Sequence, residues 1–480
     1  MKQPNILWIC TDQQRTDTLG CYGNKDISTP NIDGLAEKGV RMENAFCQSP
    51  VCTPSRASFL TGRYPRTTRC RQNGQNIPED EKLVTRLLAD AGYVCGLAGK
   101  LHLSACHPSA APVTERRIDD GYVRFHWSHD PFPQWPMNEY QAWLKAKGRK
   151  YRTVPSDESA YVHYGMDAED HQTAWCADKT IEFIKTMQDS GRPWLFSLNL
   201  FDPHHPFDPP KEAMKRYVNR LEDMPLPNYR EGELAEKSYF QQYDHKGAYG
   251  NPREYPYAEM KAEDHRAIRA AYRAMVELID EQVGRILEAL EQTGQAEDTL
   301  VIFMSDHGEL LGDHGMYLKG PHFYEPSVKV PLIVSMPGLV RENVRVPALA
   351  ELVDLAPTLM EAAGLPVYPG MQGRSLWPLL TGRQDGEEHR KSVYCEYYNA
   401  NFKQGGIGAF ATMVRTETHK LVKYHRRGEG ELYDLIRDPQ ETVNRWKDPA
   451  YRETKTELLD LLCDRMAETV DPLPERIAPW

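Results

Sequence analysis

Four short apolar runs in this chain each stop at residues able to do chemistry, and that repetition narrows the choice of folds more than any other feature. Residues 5–11 (NILWICT) run into Asp12, 93–98 (YVCGLA) into Lys100 and His102, 194–200 (WLFSLNL) into Asp202 and His204, and 300–305 (LVIFMS) into Asp306 and His307. Near-continuous apolar runs of strand length suit strands buried on both faces, as in a parallel sheet covered by helices. Helical patterns alternate with them: 31–38 before Gly39, 81–91 before Gly92, 172–189 with Asp170 placed as the N-terminal cap and Gly191 as the stop, and 263–292 before Gly294. In the longest, Ile268, Met275, Ile279, Val283 and Ile286 fall on one helix face. The alternation predicts an α/β fold, a large mostly parallel sheet flanked by helices. In open sheets of this kind ligands bind beyond the carboxyl ends of the strands, so Asp12, Lys100, His204 and Asp306 are expected to converge on one site. One strand ending at a polar residue is ordinary; four together point to a shared centre.

Two long stretches interrupt the pattern. Residues 107–159, rich in aromatics, His and Pro, and 207–260, rich in Pro, Tyr and charge, read as insertions over the sheet. From about 385 the texture changes: 393–398, 408–415 and 420–424 read as strands and 452–469 as a helix, which predicts a catalytic domain over 1–384 and a smaller α+β subdomain over 385–480. With 58 Lys and Arg against 69 Asp and Glu the formal net charge is −11, which argues against a nucleic-acid binder relying on a global positive field. No apolar run reaches the roughly 18 residues of a membrane span.

The N-terminus (MKQPNILWIC) carries no apolar leader before the first strand, so a cytoplasmic protein with reduced thiols is expected. Ten cysteines show no C-x-x-C pair and no zinc-type Cys/His spacing, and nine of them read as small buried filler. The apolar, Pro-rich tail at 471–480 suits docking, either on a neighbouring subunit of a homo-oligomer or on its own chain.

Cys52 is the exception. In Ser49-Pro50-Val51-Cys52-Thr53-Pro54-Ser55-Arg56, Pro54 suits a first helical turn, placing Cys52 at or just before a helix N-terminus, where free amides favour an anion. Arg56, one turn on, is able to fork onto an oxyanion or a carboxylate. Cys-x-Pro-Ser-Arg followed by Thr61-Gly62 resembles the signature of the type I sulfatases of the alkaline phosphatase superfamily. The resemblance implies oxidation of Cys52 by a formylglycine-generating enzyme, with the hydrated aldehyde as nucleophile.

It extends along the chain. Residues 5–12 with Arg15 and Asp17 resemble the family's first metal motif, and 305–309 (SDHGE) the later one. Lys100, His102, His204 and Lys319 match positions that contact the sulfate or the leaving group; Asn73 is a further candidate for the sulfate, or a turn residue beside Gly74. The 432–441 segment resembles the family's C-terminal part.

By that resemblance Asp12, Gln13, Cys52, Asp306 and His307 hold one divalent metal, an oxygen-dominated set suited to Ca²⁺, with Mn²⁺ the alternative. Lys100, Lys319 and Arg56 supply positive charge, and Arg56 orients the hydrate. His204 or Lys319 protonates the departing alcohol, and His102 assists the breakdown of the covalent ester.

Most sulfatases have two consecutive Asp residues at the motif that 5–12 resembles, whereas this chain has Asp12-Gln13, a pairing that also occurs in phosphonate monoester and phosphodiester hydrolases of the same superfamily. Those generally lack the Lys-x-His pair, so sulfate monoester hydrolysis is the expectation and phosphonate or phosphodiester hydrolysis the alternative. A sulfated sugar, an oligosaccharide or an aryl sulfate is the expected substrate. The aromatic run Phe125, His126, Trp127, His129, Phe132, Trp135 suits stacking on a sugar ring, or packing within a lid.

Overall fold

The computed structural model describes residues 3–386, 388–399 and 408–478. Its main sheet runs, edge to edge, through Val344–Glu351, Val40–Phe46, Leu332–Ser335, Thr299–Ser305, Asn5–Thr11, Trp194–Asn199, Val94–Gly99 and Tyr122–Trp127. Leu332–Ser335 runs antiparallel to both of its neighbours, and the short Lys329–Val330 strand is antiparallel to Val40–Phe46. The remaining neighbours in this sheet pair in parallel.

The pleat sorts side chains onto two cores. From the central strand, Ile6, Trp8 and Cys10 enter the layer that holds the Cys52–Thr61 and Leu355–Ala362 helices. Leu7 and Ile9 enter the opposite layer, beneath the Gln172–Met187 and Ala262–Gln292 helices. Ile268, Met275, Ile279, Val283 and Ile286 of that long helix are all fully buried.

A second, antiparallel sheet takes Val393–Tyr398, Phe410–Arg415, His419–Tyr424 and Gly430–Asp434 in order. Tyr394, Val414, Leu421 and Leu432 lie side by side across it and pack on Leu458 and Leu462 of the Arg452–Glu468 helix. On its other face Cys395, Met413 and Val422 join the main core. A buried polar network seals the junction. Glu351 Oε1 accepts from Arg465 Nη2 (2.9 Å) and from the Tyr394 amide (2.6 Å), and its Oε2 accepts from Tyr64 Oη (2.6 Å).

Several local expectations change. The stretch at 107–159 is not wholly an excursion, because Tyr122–Trp127 forms the sheet's edge strand beside Val94–Gly99. The helix expected over 81–91 spans Val84–Asp90, since the buried Glu81 instead pairs with Arg63. His171 caps the Gln172–Met187 helix through its side chain, while Asp170 binds Lys147. Among the nine cysteines read as filler, Cys463 is exposed, and Cys21 and Cys106 are half-buried. The tail begins on its own chain, where Asp471 pairs with Arg63 (2.8 Å); residues 479–480 lie outside the described ones.

Candidate active site

The four strands whose ends carry Asp12, Lys100, His204 and Asp306 are consecutive neighbours and mutually parallel, so their carboxyl ends open onto one place. Backbone bonds tie those ends together: Asp306 N donates to Thr11 O (3.1 Å), Asp12 N to Asp202 O (3.2 Å) and Lys100 N to Asn199 O (3.0 Å). The Cys52–Thr61 helix points its N-terminus into the same place, with every residue buried. Cys52 is its first residue. Asn73 does not reach the thiol; its Oδ1 accepts from Thr53 N (3.0 Å), satisfying one of the helix's free amides.

Around the thiol, Sγ lies 3.1 Å from Lys319 Nζ, 3.2 Å from His307 Nε2, 3.5 Å from Asp12 Oδ1 and 3.8 Å from Lys100 Nζ. Burial and Asp12 push its pKa up, but Lys100, Lys319 and His307 outweigh them and hold it below its ordinary value. Arg56 is fully buried and bonds carboxylates rather than Cys52: Nε to Asp306 Oδ2 (2.9 Å), Nη2 to Asp12 Oδ2 (3.3 Å), with Nη1 on Lys100 O (2.9 Å). Lys100 Nζ sits 2.5 Å from Asp12 Oδ2. Burial favours a neutral carboxyl at Asp12, yet Lys100, Arg56 and Lys319 hold it ionised, well below the carboxylate range.

Two imidazoles are oriented by carbonyls. His307 Nδ1 lies 2.9 Å from Gly308 O and His204 Nδ1 lies 2.6 Å from His205 O, so in each ring the bonded Nδ1 carries a hydrogen and Nε2 is the atom left to take up a proton or a ligand. His204 Nε2 accepts from Lys319 Nζ (2.9 Å). Burial and Lys319 keep His204 neutral, its pKa well below the usual histidine value. His307 behaves oppositely: burial disfavours its charge, but Asp306 beside it lifts the pKa to about 9. His102 stands apart from the thiol. It packs edge-on against His129 (ring centroids 4.5 Å apart), and burial with His129 keeps it neutral.

Gln13 joins the cluster through a residue whose role the sequence did not reveal. Its Oε1 accepts from Lys319 Nζ (2.5 Å), and its Nε2 donates to the buried carboxylate of Glu309. Glu309 is itself fixed by the amides of Leu311 (2.8 Å) and Leu318 (2.5 Å). The backbone at Gln13 sits at φ 66°, with Tyr272 Oη donating to its carbonyl (2.5 Å). In the sequence only Glu309 itself, closing Ser305-Asp306-His307-Gly308-Glu309, signals this arrangement. Of the other motif residues, Arg15 is structural, pairing with Asp17 (2.6 Å) and Asp313 (2.8 Å).

Asp12, Cys52, Asp306 and His307 bring one ligand atom each within 4.8 Å of one another, all buried. Two carboxylates and an imidazole whose Nε2 would give up its proton to a cation, with the Gln13 amide oxygen adjoining, are donors for a hard or borderline divalent ion. The cluster therefore fits a metal. Three cations, Arg56, Lys100 and Lys319, face its two carboxylates, which leaves an anion-attracting centre in an acidic protein.

The aromatic run is mostly internal. Trp127 and Trp135 are 2% and 4% exposed and pack edge-on at 5.6 Å, so packing within the fold, not sugar stacking, accounts for them. Phe132 is half-buried and lies against Phe201, whose ring borders both Lys100 and His204.

Comparison with known proteins agrees with this geometry. The sulfatase family model matches residues 4–365, and the model of the N-sulphoglucosamine sulphohydrolase C-terminal region matches 312–468. An arylsulfatase of Clostridium perfringens is 29% identical, over 94% of this chain and 92% of that protein. An N-acetylglucosamine-6-O-sulfatase of Bacteroides thetaiotaomicron is 26% identical, over 99% and 88% respectively. Among solved structures, the phosphonate monoester hydrolase of Agrobacterium radiobacter superposes with a TM-score of 0.83 at 27% identity, covering 98% of this chain and 97% of that one. With its alkaline phosphatase-like sheet and its cluster built around Cys52, the chain belongs to the sulfatase family and is a sulfuric ester hydrolase.

Proposed function

We propose that this enzyme hydrolyses a sulfate monoester of a sugar through a formylglycine made from Cys52, with one divalent metal, Ca²⁺ before Mn²⁺, held by Asp12, Gln13, Asp306, His307 and the modified Cys52. The observation that carries the reading is the placement of Cys52 at a buried helix N-terminus, 3.1 Å from Lys319 and 3.2 Å from His307. A metal bound there supplies Lewis acidity toward sulfate oxygens, and formylglycine supplies a hydroxyl nucleophile in place of sulfur.

This chain's own residues do the rest. Arg56 neutralises Asp12 and Asp306 at once and keeps both carboxylates aimed into the cluster. Lys100 and Lys319 flank the position of the sulfate and stabilise its charge as the ester bond lengthens. His204, neutral with its lone pair on Lys319, leaves Lys319 as the proton carrier at Nζ, so Lys319 protonates the departing oxygen and His204 holds it in place. His102 lies one shell further out, on the wall formed with His129, and acts on the later step through water. The likeness to an N-acetylglucosamine-6-O-sulfatase supports a sugar sulfate, and the nine cysteines that keep their thiols suit a reducing compartment.

The mass of the Cys52 peptide, from protein made with a formylglycine-generating enzyme, tests the reading: a lowered mass and no reaction with a thiol alkylator are expected. An unmodified, alkylatable Cys52 in active enzyme overturns it. Gln13, together with the structural likeness to a phosphonate monoester hydrolase, favours a second reading, phosphonate or phosphodiester hydrolysis. Rates on p-nitrophenyl sulfate and on a phenylphosphonate ester separate the two; sulfate is expected to be faster.

A further inference from the structure

Among the described residues a second group of side chains brings metal-ligating atoms together, apart from the cluster at Cys52. Cys106, Glu115 and His129 place a thiol sulfur, a carboxylate oxygen and an imidazole nitrogen within 4.8 Å of one another. Their spacing along the chain matches no zinc motif; the loop after Lys100 and the edge strand Tyr122–Trp127 bring them together.

Each member is prepared for ligation. Glu115 is 1% exposed, and three N–H groups fix its carboxylate: the backbone amides of His102 (2.9 Å) and Leu103 (3.0 Å) and the Trp127 indole (3.0 Å). Outer donors hold metal-binding carboxylates in this manner. His129, nine-tenths buried, is wedged between the rings of His102 and Trp135 (centroids 4.5 and 5.5 Å), and its Nδ1 has no hydrogen-bond partner. The neighbouring Ser104 Oγ and His102 Nδ1 are unpartnered as well. Buried polar atoms are rarely left unsatisfied, and an unpartnered imidazole nitrogen on a ring grouped with a thiol and a carboxylate calls for a ligand. Cys106 is only half-buried, which opens a path from solvent.

We propose that Cys106, Glu115 and His129 form a second metal site, for a thiophilic divalent ion of the Zn²⁺ class. One thiolate, one imidazole and one carboxylate make a donor set that favours Zn²⁺ over Ca²⁺ or Mg²⁺, and three protein ligands leave the fourth tetrahedral position to water. Zn–S near 2.3 Å and Zn–N near 2.0 Å set ligand atoms roughly 3.5 Å apart, so side chains whose ligand atoms lie within 4.8 Å of one another need only draw together slightly as the ion binds. The thiol proton leaves to solvent as the thiolate binds. Glu115 then links the ion to the backbone of His102 and Leu103, so that occupancy stiffens the loop carrying Lys100 and His102.

Cobalt is the probe. Full-length Cys52→Ala protein, saturated with Ca²⁺ so that the catalytic cluster offers neither a thiol nor a vacant position, is titrated with Co²⁺. One equivalent is expected to produce thiolate-to-cobalt absorption in the near ultraviolet, which Zn²⁺ then displaces. Cys106→Ser abolishes the band, and His129→Ala lowers affinity about tenfold or more. No band at one equivalent, or a band surviving both substitutions, overturns the proposal. Should Cys106→Ser fail to fold, His129→Ala decides alone, and neither result depends on sulfate hydrolysis.

Discussion

Replacing Lys319 by Met keeps an unbranched apolar stem and removes one of the three cations that face Asp12 and Asp306. The ammonium has three partners, Gln13 Oε1 at 2.5 Å, His204 Nε2 at 2.9 Å and Cys52 Sγ at 3.1 Å, and it is 2% exposed, so water does not replace it. Losing one preorganised donor aimed at developing charge lowers kcat by about 10²–10³, or roughly 2.7–4 kcal/mol. Losing proton delivery lowers it by a further factor of about 10² or more, but only where the departing oxygen needs a proton.

A phenol as acidic as p-nitrophenol leaves without help and feels the first effect alone; a sugar hydroxyl feels both. The variant is therefore expected to lose about 10²–10³ on p-nitrophenyl sulfate and at least about 10⁴ on a sugar sulfate. Steady-state kcat over a series of aryl sulfates graded by phenol acidity measures this, and the dependence on leaving-group pKa should steepen in Lys319→Met. Equal loss on every leaving group would refute Lys319 as the acid, and a loss below tenfold throughout would refute its electrostatic role too.

Cys52→Ala is expected to abolish turnover of an aryl sulfate under saturating metal, with the melting temperature little changed; retained turnover removes the nucleophile assignment. Chelation should silence the enzyme, and added Ca²⁺ or Mn²⁺ should restore it, as read by the same assay after dialysis. Arg465→Met cuts the bonds that tie the C-terminal helix to Glu351 (2.9 Å) and Tyr64 (2.8 Å). Breaking a buried pair of this kind costs about 3–5 kcal/mol, and urea unfolding showing under 1 kcal/mol would contradict it. Burial holds the pKa of His265 down to about 4, so the folded protein keeps it neutral where the unfolded chain, with a value near 6.5, binds a proton. Stability is thus complete above about pH 6.5 and falls as the pH drops toward 4. His265→Phe, which preserves stacking on Tyr257 (4.4 Å), should flatten that slope in urea midpoints, and an unchanged slope rejects the account.

What could be read from the sequence follows from how far apart the interacting groups lie. Buried parallel strands announce themselves, because both of their faces are apolar and the polar residue that ends each one is conspicuous; hence Asp12, Lys100, His204 and Asp306 were legible as one site. Tyr122–Trp127 was not, because an edge strand has one neighbour: Val123 is 71% exposed, and the segment has no continuous apolar run to set it off from the His- and Pro-rich stretch around it. Leu332–Ser335 and Val344–Glu351 end in no chemistry-bearing cluster and so carried no signal. The same logic governs the site. Cys52 and Arg56 sit one turn apart and form a local pattern, whereas Arg56 finds its carboxylate partners 44 and 250 positions away. Glu309 and Glu115 do their work on backbone amides and side chains that only the folded chain delivers. A carboxylate that anchors a loop leaves the same trace in a sequence as one in solvent. For that reason the residues that aim Gln13 and His102 became visible only with the fold, and mutations at Glu309 and Glu115 are where sequence-guided engineering of this site is most exposed to error.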